Sequence, residues 1–532
     1  MKKLLILLLF IPLLSCNDWL TVEPEDSVTF VNYFKNESEV EAMYNGILAS
    51  MKSVCMGTQP YFYISIDADN VGMYYEGFRT LDPFTYLDDE SMVLDIEWGE
   101  FYNVIYLANV MLENEYRFEN ISKERTEFWL GQAHFAKALA YFRLAQIWGD
   151  APIAKSSESI EPEGKKPALE VLNEALREAK LALTLPTHDK LINANGSKIT
   201  SKQYASLGTV NTLLANIYAW LGGLTHEREY WEEAERYASE VIDGKCGVYE
   251  LESMDGLVSN VFGANRNSRE TIFCIDNDPL DVDRKWWSEL KTELPGQMLM
   301  SYPYTTTDEA AIANIVNDSW DEYVKITVET VKSIYPEEVD ARRREFWFEL
   351  GELTYPVYEY DEETEEEIEV GREVTPYAHI AKWRDVIKQT SEEVTSWAGE
   401  VVIATDGDWV IWRLADLILL RAECRVNLEM ATAVNDLNTV RYRAELGDYT
   451  GSKDKESLRR EIFDERRREL FGEGQYYFDI VRNGYWKEVL YGNFTTLTDQ
   501  DVKNGALYAP VGVGAFTKNT LMTQNTYWQW QN

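Results

Sequence analysis

Apolar positions recur along most of this chain at alternating steps of four and three. Trp98, Tyr102, Ile105, Asn109 and Leu112 keep that rhythm, as do Leu172, Leu176, Ala179 and Leu183. So do Leu207, Val210, Leu214, Ile217 and Leu221, then Ala234, Tyr237 and Val241. Leu414, Leu417 and Arg421, followed by Val434, Leu437, Val440 and Ala444, repeat it near the C-terminus. A period close to 3.6 places these side chains on one helical face, so each run predicts an amphipathic helix. Gly222-Gly223 before Trp231 reads as a turn between two of them. Helices joined by short turns stack as antiparallel pairs, which predicts a mostly α fold: a tetratricopeptide-like scaffold of helical pairs. The repeats keep no single period, so extra elements must wrap the scaffold.

Those extras form long irregular loops and a small β-hairpin insertion. Residues 57–97 are loop-rich, and 247–410 form the longest weakly helical region. Within it, Val357, Tyr358 and Tyr360 precede the acidic run 361–367, with Ile368 and Val370 after it, which predicts an acidic-tipped hairpin. Residues 507–532 read as extended. The divisions expected are a helical region over 36–246 containing the insertion 57–97, the loop-rich region 247–410, and a second helical region with its tail over 411–532.

One segment departs from simple amphipathicity. Glu465 to Gly484 reads ERRRELFGEGQYYFDIVRNG, with Phe463, Leu470, Tyr477 and Val481 forming an apolar line through dense charge. Helical spacing makes neighbours of Glu465, Glu469 and Glu473 and of Asp479 and Arg482. Buried charge persists only when paired and hydrogen-bonded. The expectation is therefore one internal ion-pair network through Arg413, Asp416, Glu423, Arg441, Arg443, Glu469 and Arg482, serving as scaffold and not as chemistry.

The N-terminus follows a different logic. Lys2 and Lys3 precede an apolar stretch, Leu4 to Leu14, of about 16 Å as a helix. That is too short for a hydrocarbon core of about 30 Å, and it reads as a signal sequence over 1–15. Leu13-Leu14-Ser15-Cys16 matches a lipobox, making Cys16 the lipidation site and 16–35 a lipidated tether. The whole chain carries a net charge of −40, and loss of Lys2 and Lys3 takes the mature chain to −42. Such a balance repels nucleic acid and anionic membrane surfaces, and suits a neutral ligand or a basic partner. With 45% hydrophobic and 13% aromatic residues, a large core is expected in place of disorder.

Enzymatic signatures are missing. His134, His188, His226 and His379 are scattered with no metal-ligand spacing, and His134 reads as a packed core residue. No phosphate-cradling glycine loop and no nucleophile elbow occurs, so no catalytic residue, cofactor or metal is assigned. Asp276, Asp278, Asp281 and Asp283 cluster, but without the glycine and terminal glutamate of a calcium loop. Cys55, Cys246, Cys274 and Cys424 stand far apart and read as buried thiols.

Two loop-rich stretches combine aromatic rings with hydrogen-bonding groups. One holds Asp67, Asn70, Tyr74, Tyr75, Phe78 and Arg79; the other holds Trp286, Trp287, Tyr302, Tyr304, Trp320 and Tyr323. A sugar offers flat C–H patches to an aromatic face and hydroxyls to carboxylates, amides and guanidinium groups. Both stretches are therefore candidate ligand sites.

The motif in Glu465 to Gly484 resembles the ER.RE..FEG.R..D..R.G signature of the SusD/RagB family, with Gln475-Tyr476 standing where that family usually has Gln or His followed by Arg. Trp129 to Ile153 is similar to that family's long helix with its Gly-Asp-hydrophobic-Pro exit. Arg413 to Glu429 resembles its Arg-x-Ala-Asp…Ala-Glu helix, and Asn435 to Arg443 its N..R.R element. Thr523-Gln524-Asn525 with Tyr527 echoes the terminal Gln-Asn-x-x-Tyr, lacking the Pro and Gly between. The resemblance implies a lipid-anchored outer-membrane protein at the cell surface that captures a glycan and delivers it to a SusC-like TonB-dependent transporter. Capture of peptides or glycopeptides is the alternative within that class. A glycoside hydrolase would need a carboxylate pair in one cleft, which 91 acidic residues supply too easily to be informative.

Overall fold

The computed structural model describes residues 33–56, 70–71, 98–277, 324–361, 366–390, 400–490, 492–517 and 519–530. Its helices are α1 (Glu37–Met56), α2 (Gly99–Glu113), α3 (Lys123–Ile147), α4 (Ala168–Leu181), α5 (Leu207–Thr225) and α6 (Arg228–Ile242), followed after the loop-rich region by α7 (Leu414–Asn427), α8 (Ala433–Arg443), α9 (Lys455–Glu469) and α10 (Tyr476–Asn483). Each packs on the next from α1 to α8, α9 joins α7 and α8, and α10 returns to α5. The mostly α, paired-helix scaffold expected from the periodicity is what forms.

Local chemistry sets the helix starts. Ser122 accepts from the Arg125 amide to cap α3, Ser206 from the Thr209 amide to cap α5, and Asp454 from the Ser457 amide to cap α9. Helices α3 and α5 are buried nearly all round, whereas α6 buries one stripe, Trp231, Ala234, Tyr237, Ala238 and Val241.

Gly222 and Gly223 do not make the predicted turn. Helix α5 runs through them to Thr225 and ends at His226, whose φ of 60° is left-handed. The glycines serve close packing: a Cβ on Gly222 would sit 2.6 Å from the Trp231 ring, and one on Gly223 2.6 Å from Arg482. The C-terminal segment also differs from the extended expectation, coiling into short turns at Gly514–Thr517 and Thr526–Trp530. Asn525 ties it down by donating to the carbonyls of Trp148 and Ala509.

Strand β1 (Asn70–Val71) pairs with β3 (Val324–Lys325), and β2 (Thr271–Ile275) with β8 (Trp409–Arg413), all antiparallel. The predicted acidic hairpin is β4 (Thr354–Asp361) against β5 (Glu366–Val374), bulged between Val357 and Tyr358, with β5 exposed along its whole length. Strands β6 (Val386–Thr390) and β7 (Glu400–Thr405) form another hairpin.

Buried ion pairs organise the C-terminal half, as two clusters where the sequence predicts one. In the first, Arg413 meets Glu270 at 2.7 Å, Glu469 at 2.6 Å and Glu473 at 2.6 Å. Arg342 meets Asp340 at 2.7 Å, Glu465 at 2.8 Å and Glu469 at 3.4 Å, and Arg443 pairs with Glu270 and Glu469. Lys382 joins through Glu473, and Arg441 through Glu461 and Arg468. In the second, Arg466 binds Asp416 and Asp479 while Arg482 binds Glu423 and Asp479. Of the members absent from the expectation, Glu270, Asp340, Arg342 and Lys382 arrive from outside the C-terminal helices, while Glu461, Glu465, Arg466, Arg468, Glu473 and Asp479 lie on or beside α9 and α10.

His134 is likewise not a core residue: its ring faces Glu178, which Lys137 and Arg177 also bind. Cys55, Cys246, Cys274 and Cys424 are buried thiols outside any disulfide among the described residues.

Candidate functional site

Strands β2 and β8 run antiparallel between two unlike ends. At one, Thr271 faces Arg413, inside the first ion-pair cluster; at the other, Ile275 faces Trp409 and the chain opens into a cavity of about 760 Å³. Asp276 and Asn277 leave β2 into this cavity, and Asp406 and Asp408 enter it just before β8. Gly407 between them has no room for a side chain, because a Cβ would lie 2.3 Å from the Phe262 carbonyl.

Two further segments complete the walls. The π-helical turn Leu257–Val261 presents Asn260 and leads to Arg266, whose φ of 46° is left-handed. π-Turns and left-handed non-glycine residues concentrate at functional sites, since their strain must be held by the surroundings. Arg266 is held on both sides, by Asp406 at 2.8 Å and Asp408 at 3.0 Å, and it donates to the Asn277 carbonyl. The opposite wall is the loop between α4 and α5. There the Asn193 side chain accepts from the Asn195 and Ser197 amides, building a tight turn that sets Lys198, Ser201 and Lys202 along the cavity. Ser201 donates to Asp276 at 2.8 Å and its carbonyl meets the His188 ring at 3.1 Å, which ties the two walls together.

Burial and neighbouring charge shift the groups here. Burial first, then the Asp408 carboxylate, raises Asp276 to about 6. Burial lowers Lys202 to about 8 with help from Lys198, and lowers His188 to about 4 with help from Lys202 and Lys198. Burial, with Asp408 and Asp276 nearby, holds the Cys274 thiol protonated. Perturbed groups converging in a cleft mark a functional candidate. Cys274, Asp276 and Asp408 bring donor atoms within 4.8 Å of one another. A protonated thiol makes that trio a poor match for the all-oxygen shell of a hard cation. Asp408 accepts from Arg266 and the Asn277 amide, and Asp276 from Ser201, so both carboxylates already serve the scaffold. What remains is a polar surface able to donate and accept many hydrogen bonds at once. A smaller cavity of about 270 Å³ lies beside the start of α2, but its floor, Trp98 and Tyr102, is committed to packing: the Trp98 ring lies 5.8 Å from that of Trp148.

Of the residues proposed from the sequence, Asn70 lies in β1, paired with Lys325. Asp67, Tyr74, Tyr75, Phe78, Arg79, Trp286, Trp287, Tyr302, Tyr304, Trp320 and Tyr323 lie outside the described residues, as do Cys16 and Asp278, Asp281 and Asp283. The β1–β3 ladder does pair Asn70, within the first aromatic-rich stretch, with Lys325, two residues after Tyr323 of the second. Sequence reasoning missed Lys198, Lys202, Asn260, Arg266 and Asp408. The Asn-Ala-Asn-Gly turn at 193–196 and the Asp-Gly-Asp at 406–408 are the signals that point to them.

Similarity to known proteins agrees with this architecture. Residues 303–528 match the model of the SusD family, and residues 18–223 match a model described as starch-binding associating with outer membrane. SusD-like protein P38 of Formosa agariphila is 24% identical over 514 residues, covering 90% of each chain. SusD-like protein P2 of the same organism is 24% identical over 519 residues, covering 92% of this chain and 91% of its own. A crystal structure of a SusD homologue from Bacteroides thetaiotaomicron superposes with a TM-score of 0.70 at 21% identity, over 93% of this chain and all of that one, and so shares the fold. The motifs, the helical scaffold and these matches together establish that the chain belongs to the SusD/RagB family.

Proposed function

We propose that this protein is a lipid-anchored cell-surface lipoprotein that captures an oligosaccharide and passes it to a SusC-like TonB-dependent transporter in the outer membrane. The observation that carries the reading is the cavity at the free end of the β2–β8 ribbon, walled by hydroxyls, amides and charged groups on a rigid helical platform. Sugars need such a surface, because each ring hydroxyl demands a donor and an acceptor. The aromatic residues Tyr74, Tyr75, Trp286, Trp287, Tyr302 and Trp320 would supply stacking faces from the two stretches linked by the β1–β3 ladder. Capture and handover ask for no bond-making, which agrees with carboxylates engaged in scaffold contacts.

The test is a binding screen of the domain lacking Cys16. Retarded migration in polysaccharide-containing gels, with no reducing ends released, is the expected result. Release of reducing ends would move the assignment to a glycoside hydrolase. Binding confined to a peptide panel would move it to a peptide captor. Co-purification of the lipidated protein with a β-barrel transporter tests the handover.

A further inference from the structure

The two walls of the cavity are electrically unequal. On the acidic wall, Asp406 and Asp408 share the Arg266 guanidinium, and Asp276 holds its proton up to about pH 6. On the facing wall stand Lys198 and Lys202, four residues apart on one loop. Among the described residues, no carboxylate lies within ion-pairing distance of either lysine. Asp189, on the same loop, is bound by the Thr187 hydroxyl and lies near Lys190 and Lys198 without forming an ion pair with Lys198. Lys202 lies 5.3 Å from the centre of the Tyr249 ring, and its titratable neighbours are Lys198 and the protonated Cys274 thiol. His188, the remaining basic group on this wall, is neutral above about pH 4.

Setting the Lys202 ammonium into a half-buried wall beside a second ammonium, with no carboxylate in contact with it, is unfavourable unless something arrives to neutralise it. We propose that Lys198 and Lys202 receive the anionic group of an acidic sugar, a carboxylate or a sulfate ester, while the opposite wall hydrogen-bonds its hydroxyls. This names the ligand class of the site and rests on the glycan-binding reading above. The net charge of −40 does not argue against it. At physiological ionic strength exposed charges are screened beyond about 8 Å, whereas a pair formed inside the cavity is screened much less.

The experiment compares acidic sugars with neutral parents of the same skeleton, using the full chain after Cys16. Oligogalacturonate is paired with its methyl ester, and glucose 6-sulfate with glucose, by titration calorimetry. The expected result is that at least one acidic member binds tenfold or more tightly than its parent; which pair does so separates carboxylate from sulfate. Lys202→Met should abolish that excess, so that the acidic member binds no more tightly than its neutral parent to the same variant. Its unliganded Tm should equal or exceed that of the wild type, since a purely structural lysine would lower it. Lys198→Met, at an exposed position, provides a second variant that cannot disturb the core. Equal affinities within every pair, or an excess that survives the double variant, overturn the inference and leave the glycan reading standing. No binding of any sugar overturns both.

Discussion

Replacing Glu469 by alanine deletes the carboxylate that Arg342, Arg413 and Arg443 share in the first ion-pair cluster. Six cations (Arg342, Lys382, Arg413, Arg441, Arg443 and Arg468) there face six carboxylates (Glu270, Asp340, Glu461, Glu465, Glu469 and Glu473), and Glu469 is fully buried. The substitution leaves one positive charge uncompensated out of water, which costs about 3–5 kcal/mol. Unfolding entropy of about 2.1 cal/mol/K per residue over 532 residues gives about 1.1 kcal/mol/K for a single cooperative transition. Differential scanning calorimetry of the domain lacking Cys16 should therefore show Tm lower by about 3–5 °C at pH 7.

Glu469→Gln should lose nearly as much, because the missing feature is charge and not volume. Glu469→Gln with Arg443→Gln restores neutrality and should recover at least half of the loss. The pH dependence carries its own sign. Burial opposes ionisation of Glu469, but Arg443, Arg413 and Arg342 outweigh it and hold its carboxyl far below the usual range. Its stabilisation is thus present above about pH 4.3, the unfolded value, and fades as pH falls toward the folded one. The gap between wild type and variant should narrow accordingly in acid. A Tm unchanged at pH 7, or a double variant as unstable as the sum of its parts, would refute the reasoning.

Asp276 should behave oppositely. Its raised value means that its stabilising, protonated form is lost as pH rises through about 6. The cost is up to about 3 kcal/mol for a shift of about two units, with Asp408, Arg266 and Lys52 as its charged surroundings and the neutral Cys274 thiol beside it. Asp276→Asn should match the wild-type Tm below about pH 4 and exceed it increasingly up to about pH 6 and above; a constant difference would contradict this. Gly223→Ala, whose methyl would meet Arg482 at 2.6 Å, should lower Tm by about 1–3 °C by calorimetry, whereas a free helical site would gain stability. Cys16→Ser should release the protein from the membrane fraction and abolish acyl mass by mass spectrometry; retention would refute the lipid anchor.

The helices were legible in advance because a 3.6-residue period is a local property, and α2, α4, α5, α7 and α8 fall where the apolar steps place them. The acidic hairpin was legible for the same reason, its alternation and turn lying within about twenty residues. Gly222-Gly223 misled because a glycine pair inside a helix and one in a turn look alike until the distant partners, Trp231 and Arg482, are known. The ion-pair cluster was half visible: charges on apolar helices announced it, but Glu270, Asp340 and Lys382 reach it only through tertiary contact. The cavity was least visible. Its walls come from four separate stretches, near 188–202, 257–277, 387 and 406–410, and no periodicity links them.

On the proposed reading, the β2–β8 ribbon separates two duties along a few residues, stability at the Arg413 end and ligand contact at the Asp408 end. Substitutions at Lys198 or Lys202 would then alter what is captured without touching the buried ion pairs around Arg413. A lineage built on such a ribbon can change its diet by small steps, and each intermediate remains a folded protein on which selection can act.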